Sequence, residues 1–301
     1  MKKVLILMST YNGSDYIRKQ VETILKQKNV ETNILIRDDG SNKETIELLK
    51  ELKKEYADRI DIILGKNIGW KKSFINLLNN ANLKYDYYGF SDQDDIWMEN
   101  KCYNCILKME SDTNTNLIKL CHCNNCSVDE NFVPRKEQEY RIDKPKSHKN
   151  AFATEYFQGC GMLWNAKAME LIKNTTVNNE DVAHDFWVGL ICYLFGEIYF
   201  VEEPQFYHIR YTHSESSDGS KNKGRIKRLK NILTNKSMYM NPAKDLLNNF
   251  RKELTETDII FLEKLSLYKK HKLELILDKE FCRNSLLSTI FMKGVIIINK
   301  Y

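Results

Sequence analysis

From Val4 to Phe90, short apolar runs alternate with longer amphipathic stretches, and few folds tolerate that alternation. Val4 to Thr10 reads as a strand, and Tyr16 to Lys26 carries Ile17, Val21, Ile24 and Leu25 at helical spacing. Asn33 to Arg37 is a second strand. Glu44 to Tyr56 is a helix with Ile46, Leu49 and Leu52 on one side, and Ile60 to Leu64 is a third strand. Lys72 to Leu83 and Tyr87 to Phe90 add a helix and a strand. The order βαβαβαβ predicts an α/β fold, a mostly parallel sheet with helices on both faces. In such sheets ligands gather beyond the carboxyl ends of the strands. Thr10-Tyr11-Asn12, Asp38-Asp39, Gly65 to Gly69 and Ser91 to Asp95 all stand at strand ends, so polar clusters converge on one rim. A purely structural sheet would not require that.

Beyond Phe90 the pattern is mixed. Leu117 to Cys121 and Ile198 to Val201 read as strands, and Val182 to Phe195 as a helix rich in aromatic residues. After Gly219 the composition shifts, with a basic run from Lys221 to Lys230 followed by helical patterns. A boundary is therefore expected near residue 218, with one domain over 1–218 and a helical region over 219–301. Hydrophobic residues make up 42%, enough to build a core, which excludes a disordered chain. The formal charge of +5 weakly favours anionic partners. The opening Met1 to Met8 looks like a signal peptide, but the apolar run stops at Ser9 and no small-residue cleavage site follows, so a buried first strand explains it better. No stretch reaches the roughly 18–20 apolar residues of a spanning helix. The expectation is a protein kept in the cytoplasm, with its eight cysteines reduced.

Ser91-Asp92-Gln93-Asp94-Asp95-Ile96-Trp97 is the most informative stretch. Carboxylates packed this closely need a cation or raised pKa values. Mg²⁺ typically takes one or two carboxylates plus substrate phosphates, so the cluster suits a metal bridging protein and diphosphate. The competing explanation is a solvated acidic turn capping the next helix. Asp38-Asp39-Gly40-Ser41 likewise reads as a tight turn with Ser41 available as a cap, or as a rim carboxylate that accepts from a base or ribose.

The combination resembles the family 2 inverting glycosyltransferases of the GT-A fold, closest to bacterial rhamnosyltransferase-like members that build surface polysaccharides such as capsule or lipopolysaccharide. The likeness is carried by Ser9-Thr10-Tyr11-Asn12-Gly13, Arg37-Asp38-Asp39-Gly40-Ser41, Asn67-Ile68-Gly69 with Ser73-Phe74, and Ser91 to Trp97. Further on it includes Gln158-Gly159-Cys160-Gly161-Met162, His184-Asp185-Phe186-Trp187 and the Arg210/His213 region, so it spans residues 4 to 217. It implies a Rossmann-like, mostly parallel central sheet flanked by helices, with a helical C-terminal extension. It also implies a nucleoside-diphosphate sugar donor, a saccharide acceptor and Mg²⁺ or Mn²⁺. Rhamnose leads as the donor sugar, with UDP-galactose or a UDP-N-acetylhexosamine as alternatives. Thr10, Tyr11, Asn12 and Asn67 would line the nucleotide pocket, Asp39 would contact the base, and Asp92 would lie near the ribose or sugar. Asp94 would be the direct metal ligand, with Asp92 beside it, and Asp185 the general base. Gln158, Gly159, His184 and Trp187 would face the sugar or acceptor. A later histidine often completes the metal site, and His213 is the choice. The chain reads Tyr207-His208-Ile209-Arg210-Tyr211-Thr212-His213 where relatives tend to show Tyr-Arg-x-His, which leaves His208 against His213 open.

The residues support the same chemistry without the family. A metal neutralises charge on a diphosphate leaving group, while a carboxylate on the opposite face takes the proton from the acceptor hydroxyl. Asp185 also suits a helix start, where it favours the dipole. Cys102-x-x-Cys105 and Cys121-x-Cys123-x-x-Cys126 with His122 invite zinc, but their helix and strand placement favours buried thiols. Trp164, Phe186 and Trp187 could stack on an acceptor sugar or fill the core. Lys71 and Lys72 could meet a phosphate or start a solvated helix. The basic run at 221–230 and the apolar end around Ile296 suit peripheral contact with an anionic membrane, near a lipid-linked acceptor; a packed helical bundle explains the same residues. Two rival functions stand beside the transferase. A sugar nucleotidyltransferase would show a Gly-rich, basic loop after the first strand, which Ser9 to Gly13 lacks. A nucleic-acid-binding protein would leave the rim carboxylates unexplained, since they repel phosphate; no nucleic-acid partner is expected.

Overall fold

The computed structural model describes residues 1–135, 143–210 and 238–301. Their contacts divide the chain into two units. The first comprises 1–143, 157–174 and 184–211; the second comprises 144–156, 175–183 and 212–301. The boundary expected near residue 218 lies outside the described residues.

The first unit is built on one mixed sheet in the order β3-β2-β1-β4-β7-β6-β8-β5. The strands are β1 (Lys2–Thr10), β2 (Val30–Asp38), β3 (Ile60–Leu64), β4 (Tyr87–Ser91), β5 (Ile96–Trp97), β6 (Lys119–Val128), β7 (Met162–Asn165) and β8 (Glu197–Ile209). Helices α1 (Ile17–Leu25), α2 (Lys43–Glu55), α3 (Trp70–Asn80), α4 (Lys101–Glu110), α6 (Ala166–Lys173) and α7 (His184–Phe195) accompany it. β1 lies between β2 and β4 and is parallel to both. Its Val4 to Met8 side chains are at most 4% exposed, as a central strand covered on both faces requires. α1 buries Ile17, Val21 and Ile24, the residues picked out by the helical spacing. The expected α/β architecture is thus present. The parallel half is β3-β2-β1-β4, while β7 enters antiparallel between β4 and β6.

Register sets the rim. Thr10 pairs with Asp38, Met8 with Ser91 and Asp38 with Leu64, so the carboxyl ends of the parallel strands are level. Asn42, not Ser41, caps α2, its side chain accepting from the Thr45 amide at 3.0 Å. Ser41 is engaged elsewhere, described below.

The second unit contains α5 (His148–Ala153), α8 (Ala243–Phe250), α9 (Glu256–Ser266), α10 (Lys272–Leu277) and α11 (Leu286–Ile297). Phe152 stacks on Phe261 at 5.6 Å, and Phe281 packs on both Phe261 and Tyr301. The apolar end divides: Met292, Val295 and Ile296 are buried, whereas Leu286, Leu287, Ile290 and Ile297 are exposed, as are Leu273 and Leu277 of α10. Among the described residues no helix is long and apolar enough to cross a membrane.

Candidate active site

The rim begins at the β2 turn. Asp38 accepts from the amides of Gly40 (3.0 Å) and Ser41 (2.9 Å), from Thr10 Oγ1 (3.4 Å) and from Ser41 Oγ. It is the residue that makes the turn. Gly40 has φ +80°, and a Cβ there would sit 2.7 Å from the Asn67 amide nitrogen, so this turn needs glycine. Ser41 Oγ accepts from the Asn12 amide at 2.9 Å, and Asn12 Oδ1 accepts from the Asn42 amide at 2.8 Å. Asn12 takes φ 48° to do so, a conformation asparagine tolerates. The loops after β1 and β2 are therefore stitched together.

Asp39 is nearly fully buried and pairs with Arg37, whose Nη1 donates to Oδ1 at 2.6 Å. The same oxygen accepts from the Ile68 amide (2.9 Å), and Oδ2 accepts from the Gly69 amide (2.9 Å). Arg37 also donates to Ser73 Oγ (2.9 Å) and to the Lys66 carbonyl (3.1 Å). The pair thus holds the 65–69 loop, with Asn67 exposed on it, against the end of β2. Tyr11, half exposed, keeps its ring open to the rim. Its amide donates to Gln93 Oε1 (2.9 Å), and Gln93 Nε2 donates back to the Tyr11 carbonyl (3.2 Å). A Cβ on Gly13 would collide with that Gln93 amide.

The acidic stretch follows β4. Burial, then the charges of Asp95 and Asp94, push Asp92 up to about 7. Burial, then Asp95, pushes Asp94 up to about 6. Asp95 is fully buried; its Oδ1 meets His208 Nδ1 at 2.7 Å, and Oδ2 has no partner among the described residues. Burial pulls the His208 pKa down, but the hydrogen bond and charge of Asp95 outweigh it, and the net shift is upward. Single ligand atoms of Asp92, Asp95 and Cys160 lie within 4.8 Å of one another. Burial, then the charges of Asp95 and Asp92, raises the Cys160 thiol well above its ordinary range. Crowded carboxylates and an orphaned buried oxygen are what a divalent cation would relieve, so the residues present fit one. Asp94 lies outside the three-residue group. His213 lies outside the described residues, and His208 is the histidine seen at the cluster.

α7 opens on His184 and Asp185. Asp185 is partly exposed, and its Oδ1 accepts from the Phe186 amide at 2.8 Å. His184 is buried, stacked on Phe74 at 3.8 Å and edge-on to Phe90 (4.4 Å) and Trp70 (5.8 Å). Burial lowers its pKa to about 4. Gly159 comes close: a Cβ there would lie 2.9 Å from His184 Nε2 and 3.4 Å from Asp185 Cβ. Gln158 Oε1 accepts from Asn125 Nδ2 at 2.9 Å. Trp164 and Trp187 are both 0% exposed, so the expected sugar face at Trp187 is a core position. α7 is apolar almost all round, and such a helix is buried on every side. Cys102, Cys105, Cys121 and Cys123 are buried thiols, as expected from their helix and strand positions. Two features escaped sequence reasoning. The Arg37–Asp39 clamp joins stretches about thirty residues apart, and the Asp95–His208 pair joins residues 113 apart. Both residues of each pair stand in the quoted motifs; only their partners were hidden.

A family model described as glycosyl transferase family 2 matches residues 5–170, more than half of the chain. The chain belongs to glycosyl transferase family 2. This family 2 chain is 31% identical over 186 residues to dTDP-rhamnosyl transferase RfbG of Shigella flexneri, covering 59% of this chain and 60% of that protein. It therefore spans less than two thirds of that relative. Among solved structures, S. aureus TarS 1-349 in complex with UDP-GlcNAc aligns with a TM-score of 0.54 at 15% identity, over 90% of this chain and 72% of that one. Mannosyltransferase PcManGT from Pyrobaculum calidifontis, in complex with GDP-Man and Mn²⁺, aligns with a TM-score of 0.51 at 13% identity, over 99% and 85%. At these identities the likeness is one of fold, and the expected GT-A fold is the one observed.

Proposed function

We propose that this family 2 chain is a metal-dependent, inverting glycosyltransferase. It moves a sugar, rhamnose in the first instance, from a nucleoside-diphosphate donor to a hydroxyl of a saccharide acceptor in bacterial surface polysaccharide synthesis. The observation that carries this reading is a cation-demanding carboxylate cluster on the same unit as Asp185, close enough that the Asp185 charge helps raise Asp92. The RfbG relative supports rhamnose; the TarS complex favours a UDP-N-acetylhexosamine as the second reading. The Mn²⁺ in the mannosyltransferase complex supports a divalent cation. Family membership sets aside the nucleotidyltransferase alternative.

Asp92 and Asp94 would hold Mg²⁺ or Mn²⁺, with His208 completing the set through its second ring nitrogen. Asp95 on Nδ1 fixes the ring and its tautomer, as carboxylates do behind metal-bound histidines. The bound cation would neutralise charge developing on the diphosphate leaving group. Tyr11, Asn12 and Asn67 receive the nucleotide, on a lip that Asp39 and Gln93 hold in place; Thr10, expected there too, is buried with its hydroxyl on Asp38 and supports the turn instead. Asp39 keeps one lone pair of Oδ2 for a base N–H. Asp185 takes the acceptor proton as the hydroxyl attacks the anomeric carbon opposite the diphosphate, which inverts that centre. His184, neutral at pH 7, places no competing positive charge beside that base.

The acceptor in this reading is lipid-linked, and the second unit touches an anionic membrane. Residues 264–301 carry eight basic and three acidic side chains, matching the whole formal charge of +5, next to the exposed leucines of α10 and α11. The catalytic assignment is tested by Asp185→Asn. Donor affinity should survive while transfer falls by roughly 10²–10⁴-fold. Transfer at the parental rate would show Asp185 to be a helix-start residue only.

A further inference from the structure

Of the four tryptophans, Trp97, Trp164 and Trp187 are at most 4% exposed, but Trp70 is 49% exposed. It stands at the rim by construction. Gly69, at φ +84°, turns the chain immediately before it, and a Cβ at Gly69 would meet nothing within 4 Å, so glycine is needed there for backbone conformation and not for space. The Gly69 amide is fixed by Asp39 Oδ2 at 2.9 Å, which anchors the residue just before α3 to the β2 turn. The indole has ring partners as well, with Lys71 Nζ 5.6 Å from its centroid. The Trp70 ring meets His184 at 5.8 Å and 84°, and His184 is itself clamped by Phe74 and Phe90. His184 adjoins Asp185 in sequence, and Gly159 approaches both. A half-exposed indole thus stands one ring away from the carboxylate read as the general base.

We propose that Trp70 is the stacking platform for a pyranose ring of the acceptor, the role that sequence reasoning gave to Trp187. Pyranoses offer an apolar face of C–H groups and a polar edge of hydroxyls. A half-exposed indole takes up the first and leaves the second to hydrogen-bonding groups. Trp70 is therefore a positioning residue: it would align an acceptor hydroxyl with Asp185 and take no part in the chemistry. A nucleobase could stack on an exposed indole too, but Tyr11, also half exposed, stands on the nucleotide lip itself. The inference rests on reading Asp185 as the base.

Because Trp70 is the solvent-open tryptophan, acrylamide quenching of tryptophan fluorescence in the full chain reports on it. The probes are the methyl glycosides of glucose, galactose, mannose, rhamnose and N-acetylglucosamine, with UDP and dTDP plus Mn²⁺ as separate arms. At least one glycoside should reduce the quenchable fraction in a saturable way, and the nucleoside diphosphates alone should not. By calorimetry, Trp70→Phe should keep binding of that glycoside, and Trp70→Ala should weaken it by roughly three- to tenfold. In transfer to the protecting glycoside, Trp70→Ala should raise the acceptor KM by roughly three- to tenfold, the scale of one aromatic contact, with kcat and donor affinity unchanged. Protection by none of the five glycosides overturns the assignment. So does equal protection by UDP or dTDP alone, or a fall in kcat without a change in KM. An error in the base assignment would show separately, as full activity of Asp185→Asn, and would leave the quenching result intact.

Discussion

The Arg37–Asp39 pair gives the most quantitative prediction. Both side chains are about 5% exposed or less, and Asp39 answers Arg37 together with the Ile68 and Gly69 amides. Asp39→Ala leaves a buried guanidinium without its counter-charge and two amides without acceptors. Breaking a buried pair from one side costs about 3–5 kcal/mol. Against a typical stability of about 5–15 kcal/mol, that is a large fraction. With a urea m-value of about 1–3 kcal/mol/M, the unfolding midpoint should fall by roughly 1–5 M. All four tryptophans lie in the first unit, so their fluorescence follows the unit that contains the pair. The double variant Arg37→Leu/Asp39→Leu removes both charges and should recover much of the loss, because an uncompensated charge is costlier than an absent pair. Asp39→Ala within about 1 kcal/mol of the parent, or a double variant weaker than Asp39→Ala, would refute the electrostatic account.

Nucleoside-diphosphate affinity, measured by calorimetry, should be higher with Mn²⁺ than with EDTA, and Asp94→Ala should abolish the difference. His208→Ala or Asp95→Asn should weaken metal binding by about 10–100-fold; wild-type metal affinity in both would remove the histidine from the site. Asp92 and Asp94 carry raised folded-state pKa values of about 7 and about 6, so without metal they bind protons that the unfolded chain has already released. Their contribution to stability is therefore present at low pH and lost as pH rises through about 6 and 7, and metal should restore it there. Thermal unfolding at pH 5 and pH 8, with and without Mn²⁺, checks the sign: a metal-induced gain larger at pH 5 would contradict it. Co-sedimentation with anionic vesicles should weaken with salt and with Leu287→Asp combined with Ile290→Asp, and a protein left in the supernatant at low salt would exclude the membrane contact.

The parallel half of the sheet was legible because central strands, buried on both faces, must be continuously apolar. Val4 to Met8 could scarcely be anything else. β7 was not, since its few residues sit between two units' worth of chain with no period to read. The acidic cluster announced itself through unscreened like charges, whereas Asp39 did not. Its partners are amides of a loop about thirty residues on, and backbone donors leave no trace in composition. The aromatic assignment failed at Trp187 because a motif says which residue types recur together and not which side of a helix they face. Trp70 escaped notice because exposure, not identity, is what sets it apart. Likewise the basic run at 221–230 lies outside the described residues, while the exposed leucines of α10 and α11 became visible only once Ile296 was seen to be buried.

Gln93 exchanges two hydrogen bonds with the Tyr11 backbone, so one side chain joins the loop after β1, the proposed nucleotide lip, to the acidic loop on which it stands. On the proposed function, nucleotide and cation then share a hinge pin and cannot bind as strangers. Whatever factor the cation adds to nucleotide affinity, the nucleotide must return to cation affinity, because the cycle of four states has to close. Gln93→Ala should shrink that factor on both limbs by the same amount while leaving each ligand's solitary affinity nearly unchanged. An unchanged factor in Gln93→Ala would show that this side chain does not carry the coupling. In the cell, such reciprocity would make the enzyme a detector of coincidence, filled when donor and cation are abundant together and mostly empty when either runs short.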